Sequence, residues 1–253
     1  MQGYQKGNNG TKQAVRGGKA KTEEEEKREK ISRGMSKILR HKLVERGIPF
    51  TEDGYVAVTD LMKQGEMKGT RIEDIYDVVK TNDKQRFSII TKNTDKGDVV
   101  FVRANQGHSS EVGEKLNVDE LLEEIKQPIG CFHGTNTGAV GLIMKNGLSR
   151  MARSHIHFAV GRPGDKEVIS GMRRSVNVIF SINMDTAMKK GHTFYMSANK
   201  VILTEGPLLP DPELYLEIEV KCQKNSHRAN TLITGFKQAG VDQKMIDKIR
   251  FQE

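Results

Sequence analysis

Beyond residue 128 the apolar residues fall into runs of only a few positions, separated by polar turns and short helical stretches. IGCFHGT, HIHFAV, NVIFSIN, KVILTEG and LYLEIEV have the length and the β-branched or aromatic content of strands. AVGLIMKNG and DTAMKKG between them have helical spacing. This alternation is irregular, so it does not make the repeated βαβ units of a doubly wound sheet. A small α+β domain over residues 129–222 is expected. Residues 223–253 are read as a mobile C-terminal tail, with a terminal helix as an option.

The first half follows another pattern. Residues 1–28 are rich in Gly, Lys, Gln and Glu and nearly free of apolar side chains, so a disordered basic and polar tail is expected. The run TEEEEKREK at its end could extend the first helix as a solvated turn. From Ile31, the residues Ile31, Met35, Ile38, Leu39 and Leu43 make one apolar helical stripe, stopped by Gly47 and Pro49. GYVAV reads as a short extended piece and DLMKQ as a short helix. Thr70 with Glu73 gives a capping-box pattern before a helix that buries Ile72, Ile75, Val78 and Val79. RFSII and VVFVRA then form a hairpin across TKNTDKGD. Three helices followed by a hairpin is the layout of a winged-helix lobe, over 29–109. Residues 110–128, acidic and ending at Pro128, are read as a helical connector.

Charge and absences limit the function classes. Forty-one Lys and Arg against 33 Asp and Glu give a net charge of +8, which favours a polyanionic partner such as nucleic acid. The two cysteines, Cys131 and Cys222, form no CxxC, which excludes a disulfide framework and a four-cysteine zinc site; an intracellular, reduced protein is expected. No apolar run reaches the roughly 18 residues of a membrane span, and the N-terminus has no apolar core of a secretory signal. GxGxxG after a strand, GxxxxGK[ST] and HExxH are all missing.

Five short motifs carry chemistry, each beside a plainer reading. Arg40 and His41 adjoin on the first helix, about 100° apart, where they can flank one anion or simply face solvent. Arg103, in VRANQGHS, sits where a strand hands over to a loop; His108 and Ser109 could serve a phosphate or only the turn. His133, Gly134 and Thr135 end a β run, where Gly admits a planar ligand and Thr can cap the next helix. His155 and His157 share a strand face, yet no third or fourth metal ligand is spaced to join them, so no metal is expected. Arg173 and Arg174 follow a glycine in ISGMRR, as a solvated loop or as anion ligands.

Taken in order, LRH, VRANQGHS, HGT, RSHIHFA, ISGMR and VILTEG resemble the tRNA 2′-phosphotransferase family, over residues 30–207. The resemblance implies a winged-helix lobe followed by an ADP-ribosyltransferase-like, NAD-binding lobe. It implies an enzyme that transfers the splice-junction 2′-phosphate of ligated tRNA to NAD, which is consumed. The products would be RNA with a free 2′-hydroxyl, nicotinamide and ADP-ribose 1″,2″-cyclic phosphate. By motif the catalytic tetrad falls on Arg40, His41, Arg103 and Arg173. NAD would be held by His133, Gly134, Thr135 and Arg153, with His155 or His157. The expected partner is tRNA or another RNA with an internal 2′-phosphate, with no membrane and a monomeric state. Ile202 stands where relatives of the fold carry a catalytic Glu, and Glu205 lies further along, which favours an RNA phosphate over a protein acceptor.

The chain departs from the family pattern in places. Lys42 and Leu43 follow the RH pair where a Gly is usual, NKVILT has Lys200 in place of Gly, and HIHFA varies the usual histidine segment. Two other classes stay open at this point: ADP-ribosylation of terminal nucleic-acid phosphates, and RNA binding without catalysis.

Overall fold

The computed structural model describes residues 21–95, 97–166, 168–173, 175–222 and 226–252, with the side chains of 118 and 119 set aside. Helix α1 (Glu23–His41) opens on Thr22. The Thr22 hydroxyl accepts from the Glu25 N–H (3.2 Å), and the Glu25 carboxylate accepts from the Thr22 N–H (2.9 Å). Four glutamates fill the first turn, where the helix dipole favours negative charge. The helix thus begins inside the segment expected to be tail; residues 1–20 of that segment lie outside the described residues.

The stripe read from the sequence is the buried one: Ile31, Met35, Ile38, Leu39 and Leu43 are all in the core. They pack against strand β1 (Val56–Ala57), helix α2 (Val58–Met62), a 3-10 turn at Gly65–Met67 and helix α3 (Ile72–Thr81). The hairpin β2 (Phe87–Thr94) and β3 (Gly97–Ala104) closes this lobe. β1 pairs with β3, giving a three-stranded antiparallel sheet in the order β1-β3-β2. The expected capping box at Thr70 and Glu73 is displaced by one residue. Asp74 accepts from the Arg71 N–H (3.0 Å), and its ion pair with Lys27 (2.8 Å) helps hold its carboxyl down to about 2.

The connector is not one helix. It makes two short turns, α4 (Ser110–Gly113) and α5 (Val118–Leu121), and then strand β4 (Leu122–Glu124), which joins the second lobe's sheet against β8. That sheet has eight strands: β4, β5 (Phe132–Thr135), β6 (Ile156–Ala159), β7 (Val178–Ile182), β8 (Tyr195–Ser197), β9 (Val201–Thr204), β10 (Tyr215–Lys221) and β11 (Ile249–Gln252). Their order is β11-β10-β7-β5-β6-β9-β8-β4, antiparallel except for the β10–β11 pair. Helices α6 (Thr137–Asn146) and α7 (Met184–Lys189) start on the side chains of Asn136 and Asn183. A central cluster of Phe158, Phe180, Phe194 and Tyr215 is fully buried.

Residues 226–252 depart from the expected tail. They form α8 (His227–Gln238), α9 (Gln243–Ile246) and β11. Phe236, Val241, Met245, Ile246 and Ile249 are buried in the same core. These apolar residues are spread too thinly along the sequence to show as a run. No described helix is long and apolar enough to cross a membrane.

Lys200 has φ +60°, the left-handed region, at the position where the resembling family carries glycine. Its neighbour Asn199 is fully buried and donates to the Lys84 carbonyl of the first lobe (2.9 Å). A side chain in that conformation costs on the order of 1 kcal/mol. Lys200→Gly is therefore expected to stabilise the protein by roughly 0.5–1 kcal/mol, read as a higher urea midpoint at unchanged slope.

Candidate active site

The last carbonyls of a helix have no further helical N–H to meet. At the end of α1 the Arg40 carbonyl is met by Ser109, whose N–H (2.9 Å) and hydroxyl (3.2 Å) both donate to it. Ser109 also forms an antiparallel bridge with Arg153 of the second lobe. The Ser110 hydroxyl donates to the Arg153 carbonyl (3.1 Å), and the Ser154 N–H donates to the His108 carbonyl (3.1 Å). The stretch that follows β3 thus fastens α1 to the segment ARSHIH.

Gly107 in that stretch has φ +87°, and a Cβ there would lie 3.4 Å from the Arg40 guanidinium carbon. The bare backbone lets the guanidinium lie close. Arg40 Nε and Nη2 are buried and have no partner among the described residues. Burial, with Arg86 and Arg153 nearby, brings its pKa down to about 10, so it is still a full cation at neutral pH. His41, at the helix end, is pushed below the usual imidazole value by partial burial and by Arg40, Arg153 and Lys42. Arg103 on β3 donates from Nη1 to the Asp53 carbonyl (2.9 Å) and stacks 4.7 Å from the Tyr55 ring centre; its Nε is buried and unpartnered among the described residues.

His108 lies among these groups. It is buried, and desolvation followed by the charges of Arg40, His41, His155 and Arg103 brings its pKa down to about 3. Arg173 is on the opposite lobe, exposed, and lines a cleft of about 1480 Å³ that Arg86 borders from the first lobe. It acts on Arg153 by charge, and Arg153 acts on Arg40. The structure therefore gathers Arg40, His41 and Arg103 around His108, and sets Arg173 across the cleft from Arg86, linked to Arg40 by charge through Arg153. Arg174 lies outside the described residues.

The second-lobe motif meets at β5 and β6. His133 Nδ1 lies 3.0 Å from the His157 carbonyl, and its ring stands edge-on to Phe158; burial lowers its pKa. The Gly134 backbone is covered by Met172: an added Cβ would come 2.3 Å from Met172 Cγ. Thr135 ends the strand but does not cap α6; Asn136 does, accepting from the Gly138 N–H (3.0 Å). Both His157 ring nitrogens are engaged, Nδ1 with the His155 carbonyl (3.0 Å) and Nε2 with the Gln106 carboxamide (2.9 Å). Its pKa falls to about 3, so the ring is neutral and carries one proton. Nδ1–H donates to the carbonyl, which leaves Nε2 an acceptor and requires the Gln106 carboxamide to be turned so that its –NH2, and not Oε1, faces the ring. His155 is different: its Nε2 is buried without a partner among the described residues. No group of three or more His, Cys, Asp or Glu is close enough to hold a metal among the described residues.

A family model described as RNA 2′-phosphotransferase, Tpt1 / KptA family, matches residues 26–206. The tRNA 2′-phosphotransferase 1 of Danio rerio is 37% identical over 192 residues, covering 76% of this chain and 84% of its own. The protein of that name in Mus musculus is 39% identical over 191 residues, covering 74% and 76%. A probable RNA 2′-phosphotransferase of Trichormus variabilis is 36% identical over 184 residues, covering 72% and 93%. The chain belongs to the RNA 2′-phosphotransferase family.

The family match takes in every candidate residue from Arg40 to Arg173 and stops before β10, α8 and β11. Two neighbours of these residues were not singled out from the sequence. Arg86 reads only as the polar start of a strand, and Gln106 only as a loop residue. Arg86 comes near Arg40 only through the packing of the first lobe, and Gln106 reaches His157 only where the lobes meet, and no local spacing encodes either.

Arg40→Ala is expected to move the His41 pKa up toward 6.5, because a like charge is removed; histidine NMR titration measures it. A second expectation concerns acid. His108 and His157 take up protons near pH 6.5 when unfolded but only near 3 when folded. Between those values the unfolded chain binds more protons, so stability falls as pH drops. Urea midpoints should decline steadily from pH 7 to pH 5, and less steeply in His157→Gln.

Proposed function

We propose that the protein removes the 2′-phosphate of an RNA, tRNA foremost, by transferring it to NAD. The products are RNA with a 2′-hydroxyl, nicotinamide and ADP-ribose 1″,2″-cyclic phosphate. The observation that carries this reading is the set of buried donors, Arg40 Nε and Nη2 and Arg103 Nε, that have no partner among the described residues, with the charges of Arg86 and Arg153 around Arg40. Arg40 forms no ion pair among the described residues and Arg103 only a long one, from Nη1 to Asp53 (3.6 Å), so these desolvated nitrogens are prepared for a doubly charged phosphate from outside the chain. Family membership and the names of the relatives support an RNA 2′-phosphate as that group.

Residue roles follow from placement. The Arg40 guanidinium, lying flat against Gly107, grips the phosphate with two donors. Arg103 gives a third through Nε, while its Nη1 bond to Asp53 and its contact with Tyr55 hold the side chain still. Arg173, exposed on the other wall, is free to swing onto the same oxygens and offset charge as it builds on phosphorus. Neutral His41 can accept a proton at a phosphate or ribose oxygen and return it, since its lowered pKa keeps a lone pair available near neutral pH. Guanidiniums do the neutralising here, so the reaction as proposed uses no metal.

NAD is assigned to the second lobe, on His133, Gly134, Thr135, Arg153 and His155, with His157 fixing the local frame. These residues fit it. Gly134 presents bare backbone on which a planar ring can lie once the Met172 side chain turns aside; Val176 Cγ1 borders the same spot. His155 Nε2 offers an unused polar atom, and Arg153 offers charge to a pyrophosphate. Bound there, NAD supplies the ribose carbon that takes the phosphate and the nicotinamide that leaves. In this reading the helices and hairpin up to 109 are a winged-helix RNA-binding lobe, and residues from 129 onward an ADP-ribosyltransferase-like lobe.

An RNA bearing one internal 2′-phosphate, incubated with NAD, should lose that phosphate and yield the cyclic phosphate product. No loss with NAD, or modification of end-phosphate RNA alone, would overturn the reading. Arg103→Ala should lower turnover by roughly a hundredfold or more with an unchanged circular-dichroism spectrum.

A further inference from the structure

We propose that Arg86 binds a phosphodiester of the RNA strand next to the 2′-phosphorylated nucleotide, and so selects a polynucleotide as substrate. The inference rests on the phosphotransferase reading and gives that site a second anion-binding position.

Arg86 immediately precedes β2. Its carbonyl accepts from the Asn105 N–H (2.9 Å), so its backbone is pinned beside the stretch that carries Gln106 to Ser109. Its Nη1 donates to the neutral amide oxygen of Asn82 (3.3 Å). Asp83 is near enough to favour its charge, but no carboxylate pairs with it among the described residues. Among the other cations on this wall, Arg28 is bound to Glu24 (3.4 Å) and Asp77 (2.8 Å), Arg33 to Glu29, and Lys84 donates to the Met172 carbonyl of the second lobe (3.1 Å). Arg86 is half-buried, and its charge bears on Arg40. Two cations held together with little water and no paired acid are costly in the free protein, and the cost is recovered when anions arrive.

One reacting phosphate would occupy Arg40 and Arg103, whereas Arg86, near enough to Arg40 for its charge to be felt there, lines the open cleft that Arg40 and Arg103 do not. That cleft, about 1480 Å³, exceeds the roughly 300–1000 Å³ of a small-molecule pocket. A polynucleotide carries further phosphates past the reacting one, and these are the anions such a groove would hold. The pyrophosphate of NAD has similar chemistry. Arg86, however, belongs to the first lobe, and none of the residues assigned to NAD lines this cleft.

The test uses the full chain as wild type, Arg86→Gln and Arg86→Lys. Two RNAs carry one internal 2′-phosphate, one with ordinary flanking linkages and one with the adjoining linkages replaced by uncharged methylphosphonate. On the ordinary RNA, Arg86→Gln should lose roughly tenfold or more in kcat/KM, through KM for RNA. Arg86→Lys should recover part of it. The salt dependence of RNA binding should shrink by a slope of about 0.7 in Arg86→Gln. On the methylphosphonate RNA, wild type should be slowed about as much, and Arg86→Gln should lose little more, because the two changes remove one contact. Losses that multiply independently, a rise confined to the KM for NAD, or an unchanged KM for RNA would each overturn the proposal. Should Arg86→Gln melt well below wild type, Arg86→Lys decides: full wild-type discrimination between the RNAs supports the assignment, and none sinks it. A wild type inert on both RNAs sinks the phosphotransferase reading itself, whereas an active wild type with no coupling sinks only this inference.

Discussion

Ser109 is the point on which the two lobes turn. A helix end inside a protein must find donors for its last carbonyls, and α1 finds one N–H and one hydroxyl on this residue. The same residue is bridged to Arg153 on the far side. The direction in which Arg40 leaves α1, and its closeness to Arg153, are therefore set by main-chain geometry and not by long flexible side chains. His157 and Gln106 add a second fastening a short way along. A site assembled from two lobes needs such stitching, because a displacement of about an ångström is enough to spoil the alignment of reacting groups.

What is stitched together is electrostatically unfavourable in the free protein. Arg40, Arg86, Arg153 and Arg173 act on one another with the same sign, and several of their donors are out of water. The chain offsets this elsewhere. The acid-paired flank of α1, the two packed cores and the long hairpin supply the stability that lets the cations stay close. His108 shows the local consequence. Placed amid this positive field and buried, it remains neutral far into acid and so serves as packing and backbone anchor, not as a proton carrier.

The strands and helices of the second lobe were legible because each apolar run is bounded by turn residues. HIHFAV, NVIFSIN and KVILTEG correspond to β6, β7 and β9. The stripe of α1 was legible for the same reason, and Arg40 and His41 stood out beside it. Three features were not. The acidic run before Ile31 was read as the end of a tail that could extend the helix as a solvated turn, although Thr22 and Glu25 cap a full helix there. Residues 226–252 hide their core residues among polar ones, and only the sheet edge they cover reveals why Phe236 and Ile249 are apolar. Thr135 had the right chemistry for a cap, but the following Asn136 is better placed. The grouping of Arg40 with Arg86 was a fourth, because it joins the end of α1 to the start of β2, far apart in sequence and brought near only by the packing of the first lobe.

Strand β4 also bears on how the molecule can be cut. It belongs by sequence to the connector, yet it forms the outer edge of the second sheet, with Leu122 opposite Ser197 and Glu124 opposite Tyr195. Leu121 and Leu122 pack on Val201 and Leu203. A fragment begun at Ile129 would bare the side of β8 and an oily patch beside it, an invitation to stick to other copies. A recombinant second half should therefore begin before residue 118, so that β4 and its leucines are kept.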